Sequence, residues 1–516
     1  MQNPRFTVSA IVPFLVAASI CCAATYAQAG VETVWPTKQW QTSTPEEQGM
    51  DSTALARLVE FGATHSLDSL LIARHGKIVL DAYYAPYSAD IPHLINSATK
   101  AVIGTLTAIA NKEGLLDSLD HRILDFFRDR DLGNLDDRKK AITVQSLLDM
   151  TSGMDWEEGI EGGREQSLVE FGRSSDLIKF VLDRPMANAP GEVFNYNSGN
   201  PHLLSAIITK LSGMSAWDYA KAKLFAALGI EVSNWHHDPQ GVTTGGGGLV
   251  LYPRDMAKIG YLYLRNGEWE GKRLLPAGWT DRVSHATVNM NASFDPELRY
   301  ANFFWVLPRR QVYMAWGIRC QFIMVFPAQD IVAVATARTH CPFGKLADDI
   351  SGAVKSEAAL APNPAGANLL AGKILDASIE KPTAVGATPE TASVISAETY
   401  RFPYNELHVK SLSLRLTGPQ PQYALEIYTG YQSNASLKFT GPIGLDGLYR
   451  KGASTPLGVI ALKGTWLNDH AFAIDLRLLG GDSDRRWILS VDGEKPKLRG
   501  KDGEGREVSV DGELGG

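Results

Sequence analysis

Cysteine is scarce in this 516-residue chain, no basic run interrupts it, and after the first two dozen residues no long apolar stretch occurs. Each absence excludes something. With a formal net charge of −7 and dispersed lysines and arginines, the chain has no electrostatic footprint for a nucleic-acid partner. Without a later apolar run of some twenty residues, the body of the chain has no membrane span. Of the four cysteines, Cys21 and Cys22 fall in the apolar N-terminal stretch, leaving Cys320 and Cys341. Two cysteines with no histidine at ligand spacing do not make a zinc site. What is present is globular: 44% of residues are apolar, enough for packed cores, and the length calls for two or more domains.

The N-terminus reads as a secretion signal over residues 1–29. Arg5 supplies the positive charge, "FTVSAIVPFLVAASICC" the apolar core, and "AQA" at 27–29 the small residues before cleavage at Gly30. A secreted or periplasmic protein is therefore expected. Ile20 before Cys21, and Cys21 before Cys22, fit a lipoprotein signal poorly. Outside the cytoplasm, Cys320 and Cys341 are free to oxidise. They sit on the arms of a hairpin that turns near "PAQD". Pairing about that turn sets Cys320 opposite residues 337–339, two or more short of Cys341. Without a bulge or a flexible end the two do not meet, so the disulfide stays open at this level.

Residues 30–360 form a first domain of mixed pattern. "SLLIARHGKIVLDAYY" reads as two strands about a turn at "HGK". Helical periodicity follows at 98–113, 144–150, 200–212 and 254–266, and "NFFWVL", "YMAWGI", "QFIMVF" and "IVAVATA" read as strands. An antiparallel sheet built from the two ends of the domain, with helices packed on it, satisfies this order. Residues 361–395, rich in Ala, Pro, Gly and Thr, read as a linker with room for one short helix. From 396 to 516 short alternating runs ("HVKSLSLRL", "YALEIYTG", "GVIALKGTWL", "AFAIDLRLL", "RWILSVDG") predict a small all-β domain whose polar, glycine-rich end frays.

The chemistry concentrates in four stretches. In "HLINSATKAVIGTLTAIANKEG", 93–114, Val102, Ile103, Leu106 and Ile109 mark a buried helical face, and Ser97 and Lys100 stand one turn apart at its mouth. A serine hydroxyl is a weak nucleophile until a base takes its proton, and a helix brings residues three apart onto one face. Taken alone the pair also reads as a helix N-cap and a surface lysine; if Lys100 is buried, its ammonium is disfavoured and it can serve as that base. The helix N-terminus adds positive potential and a backbone N–H for an oxyanion. The other stretches are "LLDMTSGMDW" at 147–156, "PGEVFNYNSGNPHLL" at 190–204 and "TTGGGGLVLYPRDMAKIGYLYL" at 243–264. The glycine run lacks the G-K-[ST] of a phosphate loop and reads as a packing turn.

In this order and spacing, "SATK", "LLDMTSG", "PGEVFNYNSGN" and "GGGLVLYPRDMAKIG" resemble the serine hydrolases related to class C β-lactamases and D-alanyl-D-alanine peptidases. The openings "VWPTKQWQTSTPEEQGMD" and "LLIARHGKIVLDAYY" are most similar to the 6-aminohexanoate-dimer hydrolases and β-lactamase-like esterases of that group. The resemblance spans nearly all of 31–345. It implies an α+β, β-lactamase/transpeptidase-like domain ahead of the C-terminal β domain. It further implies an acyl-enzyme on Ser97, with Lys100 and Tyr196 sharing the general-base and general-acid work, and Ser198 and Asn197 binding substrate or Lys100. The substrate is a small ester or amide, and neither metal nor organic cofactor is needed. Within the family a D-alanyl-D-alanine peptidase or weak β-lactamase is the alternative; a silent ligand-binding protein is the alternative of another class.

The third family motif departs from its relatives. The matching stretch is "AWGIRCQFIMVFP", where the triplet is either Ala315-Trp316-Gly317 or Ile318-Arg319-Cys320. Neither has the lysine of true β-lactamases, which argues against efficient β-lactam hydrolysis. Arg319 offers a planar fork for a substrate carboxylate, and the second oxyanion N–H is expected near Gln321. Trp156 and Trp316 are candidates for the wall of the acyl pocket. "WHHD" at 235–238 reads as a solvent-facing loop, and Gly246, Gly247 and Gly248 as places where backbone passes close to the site.

Overall fold

The computed structural model describes Met1 and residues 33–515, except 161–164, 232–233, 293–294, 397, 430–434, 456–457, 482–483, 492–494 and 504. The signal segment, with Cys21 and Cys22, lies outside the described residues apart from Met1. From Val34 onward the chain is one compact unit.

Its centre is a nine-stranded sheet assembled from both ends of the first domain. After helix α1 (Ser52–Thr64) come strands β1 (Leu67–Arg74) and β2 (Lys77–Tyr83), a short strand β3 (His93–Leu94) and helix α2 (Thr99–Lys112). Helix α3 (Gly199–Ser212), strand β4 (Leu249–Leu251) and helix α4 (Pro253–Leu264) lead to β5 (Val312–Gly317), β6 (Gln321–Phe326) and β7 (Ile331–Ala337). In the sheet, β1 lies between β2 and β7, so the first and last strands of the domain pair side by side: Ala333 faces Ile72 and Val334 faces Leu71. β1, β6 and β7 are buried on both faces because helices cover both sides, which explains their unbroken apolar runs. β3 pairs with β4 in a separate small sheet, His93 opposite Leu251.

Helix α2 is buried on every side from Thr99 to Ala110, more fully than its one-sided periodicity predicts. Its interior hydroxyls are therefore all bonded: Thr105 Oγ1 donates to Ala101 O at 2.8 Å, and Thr107 Oγ1 to Ile103 O at 2.9 Å.

The segment expected as a linker carries a longer helix than the short one allowed for. Helix α5 (Pro364–Ser378) lies on α1, with Lys373 Nζ 2.6 Å from Glu60 Oε1. Beyond it, two five- and six-stranded antiparallel sheets enclose one core that includes Tyr400, Leu412, Leu462, Phe472, Ile474 and Leu489. Glu513–Gly515, in the stretch expected to fray, pairs with Thr399–Arg401 as the edge strand of the five-stranded sheet.

This β region touches the first domain behind the start of α2. Leu94 N donates to Gly480 O at 2.5 Å. Arg338, just past β7, donates to buried Asp68 at 2.8 Å and to Asp484 of the β region at 3.3 Å. Tyr87 and Ile91 pack with Ala461 and Leu479.

Cys320 and Cys341 are disulfide-bonded, with their Cα atoms 5.9 Å apart. The strand count that kept them apart fails because neither lies in the ladder. Arg319 and Cys320 both adopt left-handed backbone, φ 61° and 60°, and β7 ends at Ala337, so 338–341 swing back freely. Among the described residues no helix is long and apolar enough to cross a membrane.

Candidate active site

Ser97 sits in a single 3-10 turn, Asn96–Ala98, that runs directly into α2. Asn96 is left-handed, φ 48°, and its Nδ2 donates to Ile318 O at 3.3 Å, tying the approach to Ser97 to the end of β5. Gly317 is needed there for space: a Cβ on it would lie 2.2 Å from Ile95 O. Strand and helix start therefore approach as closely as backbone permits.

One turn on, Lys100 is 1% exposed. Its Nζ donates to Ser97 Oγ at 2.8 Å and to Gly246 O at 2.8 Å. Burial lowers its pKa from 10.5 to about 8, against an opposing pull from the Glu158 carboxylate. The same ammonium lies 4.8 Å from the centroid of the Tyr196 ring. Burial pushes the Tyr196 phenol well above its ordinary range, and Glu158 adds to this; a hydrogen bond with the Ser97 side chain acts in the opposite sense. The three expected groups thus converge on one point. The glycine run supplies the Gly246 carbonyl, and a Cβ on Gly246 would stand 3.0 Å from Ser198 Cβ.

The cluster opens into a cavity of about 510 Å³. Ser97 and Tyr196 line it together with Trp305, Trp316, Ile318 and Phe171. Trp316 lines the cavity, tilted 56° against Trp305 with centroids 4.5 Å apart. Trp156 is not a wall residue: it is buried behind the cavity against Phe171 and Phe180.

Several expected binding residues turn out to do other work. Asn197 is buried, and its Oδ1 accepts from Gly199 N at 2.7 Å and Asn200 N at 3.3 Å at the start of α3, while its Nδ2 has no partner among the described residues. Ser198 lines the cavity, but its hydroxyl donates to Glu158 at 2.6 Å and not to Lys100. Gln321 is buried and outside the lining; its amide donates to Arg319 O at 3.0 Å and Ala337 O at 2.7 Å, bracing the turn. Cys320 is held in the disulfide, and Arg319, in that same left-handed turn, is also outside the lining. The structure brings parts of both triplets to the cluster, Trp316 and Gly317 of one and Ile318 of the other. The chain reverses at 318–320, so Gln321 pairs with Gly317 across the turn.

Three features escaped sequence reasoning. Glu158 reaches the cluster from the loop after Trp156. His202, on α3, lines the cavity with its Nε2 3.1 Å from buried Asp238. Asp238 is held below the usual carboxylate range by His202 and backbone N–H groups, although burial acts against this. His236 and His237 are exposed as expected but border the cavity mouth. Among the described residues no group of three or more His, Cys, Asp or Glu side chains is arranged to hold a metal ion.

A sheet covered by helices on both faces, with a serine and a buried lysine at the start of its central helix, defines a serine hydrolase of β-lactamase/transpeptidase-like architecture. The chain belongs to the beta-lactamase family, whose sequence profile matches residues 56–350, more than half its length. It is similar to a 6-aminohexanoate-dimer hydrolase of Paenarthrobacter ureafaciens, 24% identical over 285 residues, covering 52% of this chain and 71% of that protein. Among solved structures it resembles EstCE1, a hydrolase with promiscuous acyltransferase activity, at 17% identity and TM-score 0.50, over 59% of this chain and 99% of that one. A penicillin-binding protein homologue of Pyrococcus abyssi, described as octameric, aligns over 89% of this chain and 99% of its own, at 17% identity and TM-score 0.43.

Proposed function

We propose that this protein is an exported serine hydrolase that cleaves a carboxylic ester or amide through an acyl-enzyme on Ser97. The observation that carries the reading is the 2.8 Å contact from a fully buried Lys100 Nζ to Ser97 Oγ. At pH 7 a lysine with a pKa near 8 is uncharged about one time in ten. The amine is then a competent base, whereas the Tyr196 phenol, held protonated by burial, is a donor.

In acylation Lys100 takes the Ser97 proton as Oγ bonds to the carbonyl carbon. The oxyanion is received by the Ser97 backbone N–H and, in this reading, by that of Ile318, where Gly317 lets the strand close in. Collapse breaks the C–O or C–N bond, and Tyr196 protonates the departing alcohol or amine while recovering a proton from Lys100. Water then attacks the acyl carbon, giving its proton to the same pair, and Ser97 leaves reprotonated with release of the carboxylic acid.

The missing strand lysine and the aromatic walls support neutral esters and linear amides over β-lactams. The similarity to a 6-aminohexanoate-dimer hydrolase makes linear oligoamides the first amides to try. Export is supported by the residue pattern of 1–29 and by the Cys320–Cys341 pair, and a mature N-terminus at Gly30 in mass spectrometry of the exported protein checks it. For the chemistry, a fluorophosphonate probe should label the wild type at Ser97 and fail on Ser97→Ala. A wild type that takes no label and turns over no p-nitrophenyl ester would overturn the reading in favour of a silent binding protein. Parallel assays with short p-nitrophenyl esters, nitrocefin and 6-aminohexanoate dimer rank the substrates.

A further inference from the structure

The loop after Trp156 and the segment that carries Tyr196 are cross-linked twice, on either side of the tyrosine. On one side Asn195 Nδ2 donates to Trp156 O at 3.1 Å and to Met154 O at 3.4 Å. On the other, Glu158 accepts from Ser198 N at 2.7 Å, from Ser198 Oγ at 2.6 Å and from Trp156 Nε1 at 2.8 Å. Both carboxylate oxygens are therefore occupied, and Ser198 N–H is at the N-terminus of α3, where an anion is favoured. Ser198, two residues after Tyr196, has no hydroxyl proton left for Lys100 or for substrate.

We propose that Glu158 is a positioning residue of the hydrolytic site, fixing Tyr196 over Ser97 and Lys100 by locking Ser198. This rests on the assignment of Ser97, Lys100 and Tyr196 made above. Glu158 lines the cavity, but the three donors it holds are protein groups, Ser198 N, Ser198 Oγ and Trp156 Nε1, and through them it fixes the segment that carries Tyr196. Its charge has a second effect. The carboxylate pulls the Lys100 pKa upward, against burial, and raises that of Tyr196 and of Tyr300 beyond it. The titratable groups coupled to it are Lys100 on α2, Tyr196 and Tyr300, and the others that line the same cavity are Glu165, His202, His236, His237 and Asp238.

The test uses the full-length protein, a p-nitrophenyl ester and three variants. Glu158→Gln keeps the size, removes the charge and sets an amide N–H₂ against donors. It should lower kcat by about 10- to 100-fold, the scale of a displaced catalytic group, with KM changed less than about threefold. Its acid limb in kcat/KM should move to lower pH, because Lys100 loses the carboxylate that opposes deprotonation. Ser198→Ala and Trp156→Phe keep the charge and each remove one donor. They should lower kcat by smaller factors and leave the limb in place. Wild-type kcat and pH profile in Glu158→Gln, or an effect confined to KM, would overturn the proposal. Should Glu158→Gln not fold, unchanged kcat in both other variants overturns it, and a loss in kcat alone with an unmoved limb supports it. Labelling at Ser97 separates the two levels: if Ser97→Ala is inactive and Glu158→Gln is normal, only the positioning role fails. If Ser97→Ala still turns over substrate, the underlying assignment fails.

Discussion

At the residue scale, the decisive quantity is the charge on Lys100. An exposed lysine releases its proton near 10.5, but this one, enclosed by Ser97, Tyr196 and Gly246, does so near 8. The expected pH–rate profile follows: kcat/KM rises with pH and levels off above about 8, well below the range of an ordinary lysine. Stability has the same origin. Between about 8 and 10.5 the unfolded chain holds the Lys100 proton and the folded one does not, so stability rises with pH across that window. Below it, burying the ammonium costs on the order of 3 kcal/mol, reduced by its two hydrogen bonds. Lys100→Met should therefore lose turnover while melting at neutral pH no lower than the wild type; a melting point several degrees lower would contradict this. Ser97, Lys100 and Tyr196 were legible because two lie one helical turn apart and the third stands in a recognisable loop. Glu158 was not, since it meets Ser198 across 40 residues of chain and nothing in its neighbourhood marks it. The backbone contacts of Asn197 were not legible either: an asparagine before a helix bonds the first N–H groups as readily as it binds a ligand.

At the scale of elements, the turn from Ile318 to Cys320 decides which backbone meets the serine. The strands on either side were legible as apolar runs, but the turn was not. Two consecutive left-handed residues without glycine are costly and are not signalled by composition. That is why the disulfide looked out of register. The Cys320–Cys341 bridge closes a span of 21 residues and on chain-entropy grounds contributes about 3 kcal/mol. Replacing both cysteines by serine should reduce the free energy of urea unfolding by about that amount. It should also slow turnover, because the turn that presents Ile318 loses its tether. A double variant with unchanged stability and rate would show that Gln321, bonded to both arms, is sufficient.

At the scale of the whole molecule, the two regions were legible as separate patterns, one mixed and one all-β, but their contact was not. It depends on a β-turn at 480 reaching the strand that leads to Ser97, with Arg338 bridging Asp68 and Asp484 beside it. Gly480 is left-handed, φ 77°, and a Cβ there would lie 1.8 Å from Pro92 O. Gly480→Ala should therefore lift the turn away and reduce kcat by about 10-fold or more, although no atom of residue 480 is in the cavity. Equal turnover in that variant would show that the first domain holds Ser97 in place unaided.

The docking of residue 480 also bears on the order in which the protein comes into being. Translation delivers every member of the catalytic cluster by codon 318, yet the support behind the nucleophile arrives some 160 codons later. On the chemistry proposed above, a polypeptide that stops short of codon 480 would carry the whole cluster on an unbraced strand, and its turnover beside that of the full chain measures what the late-made turn contributes.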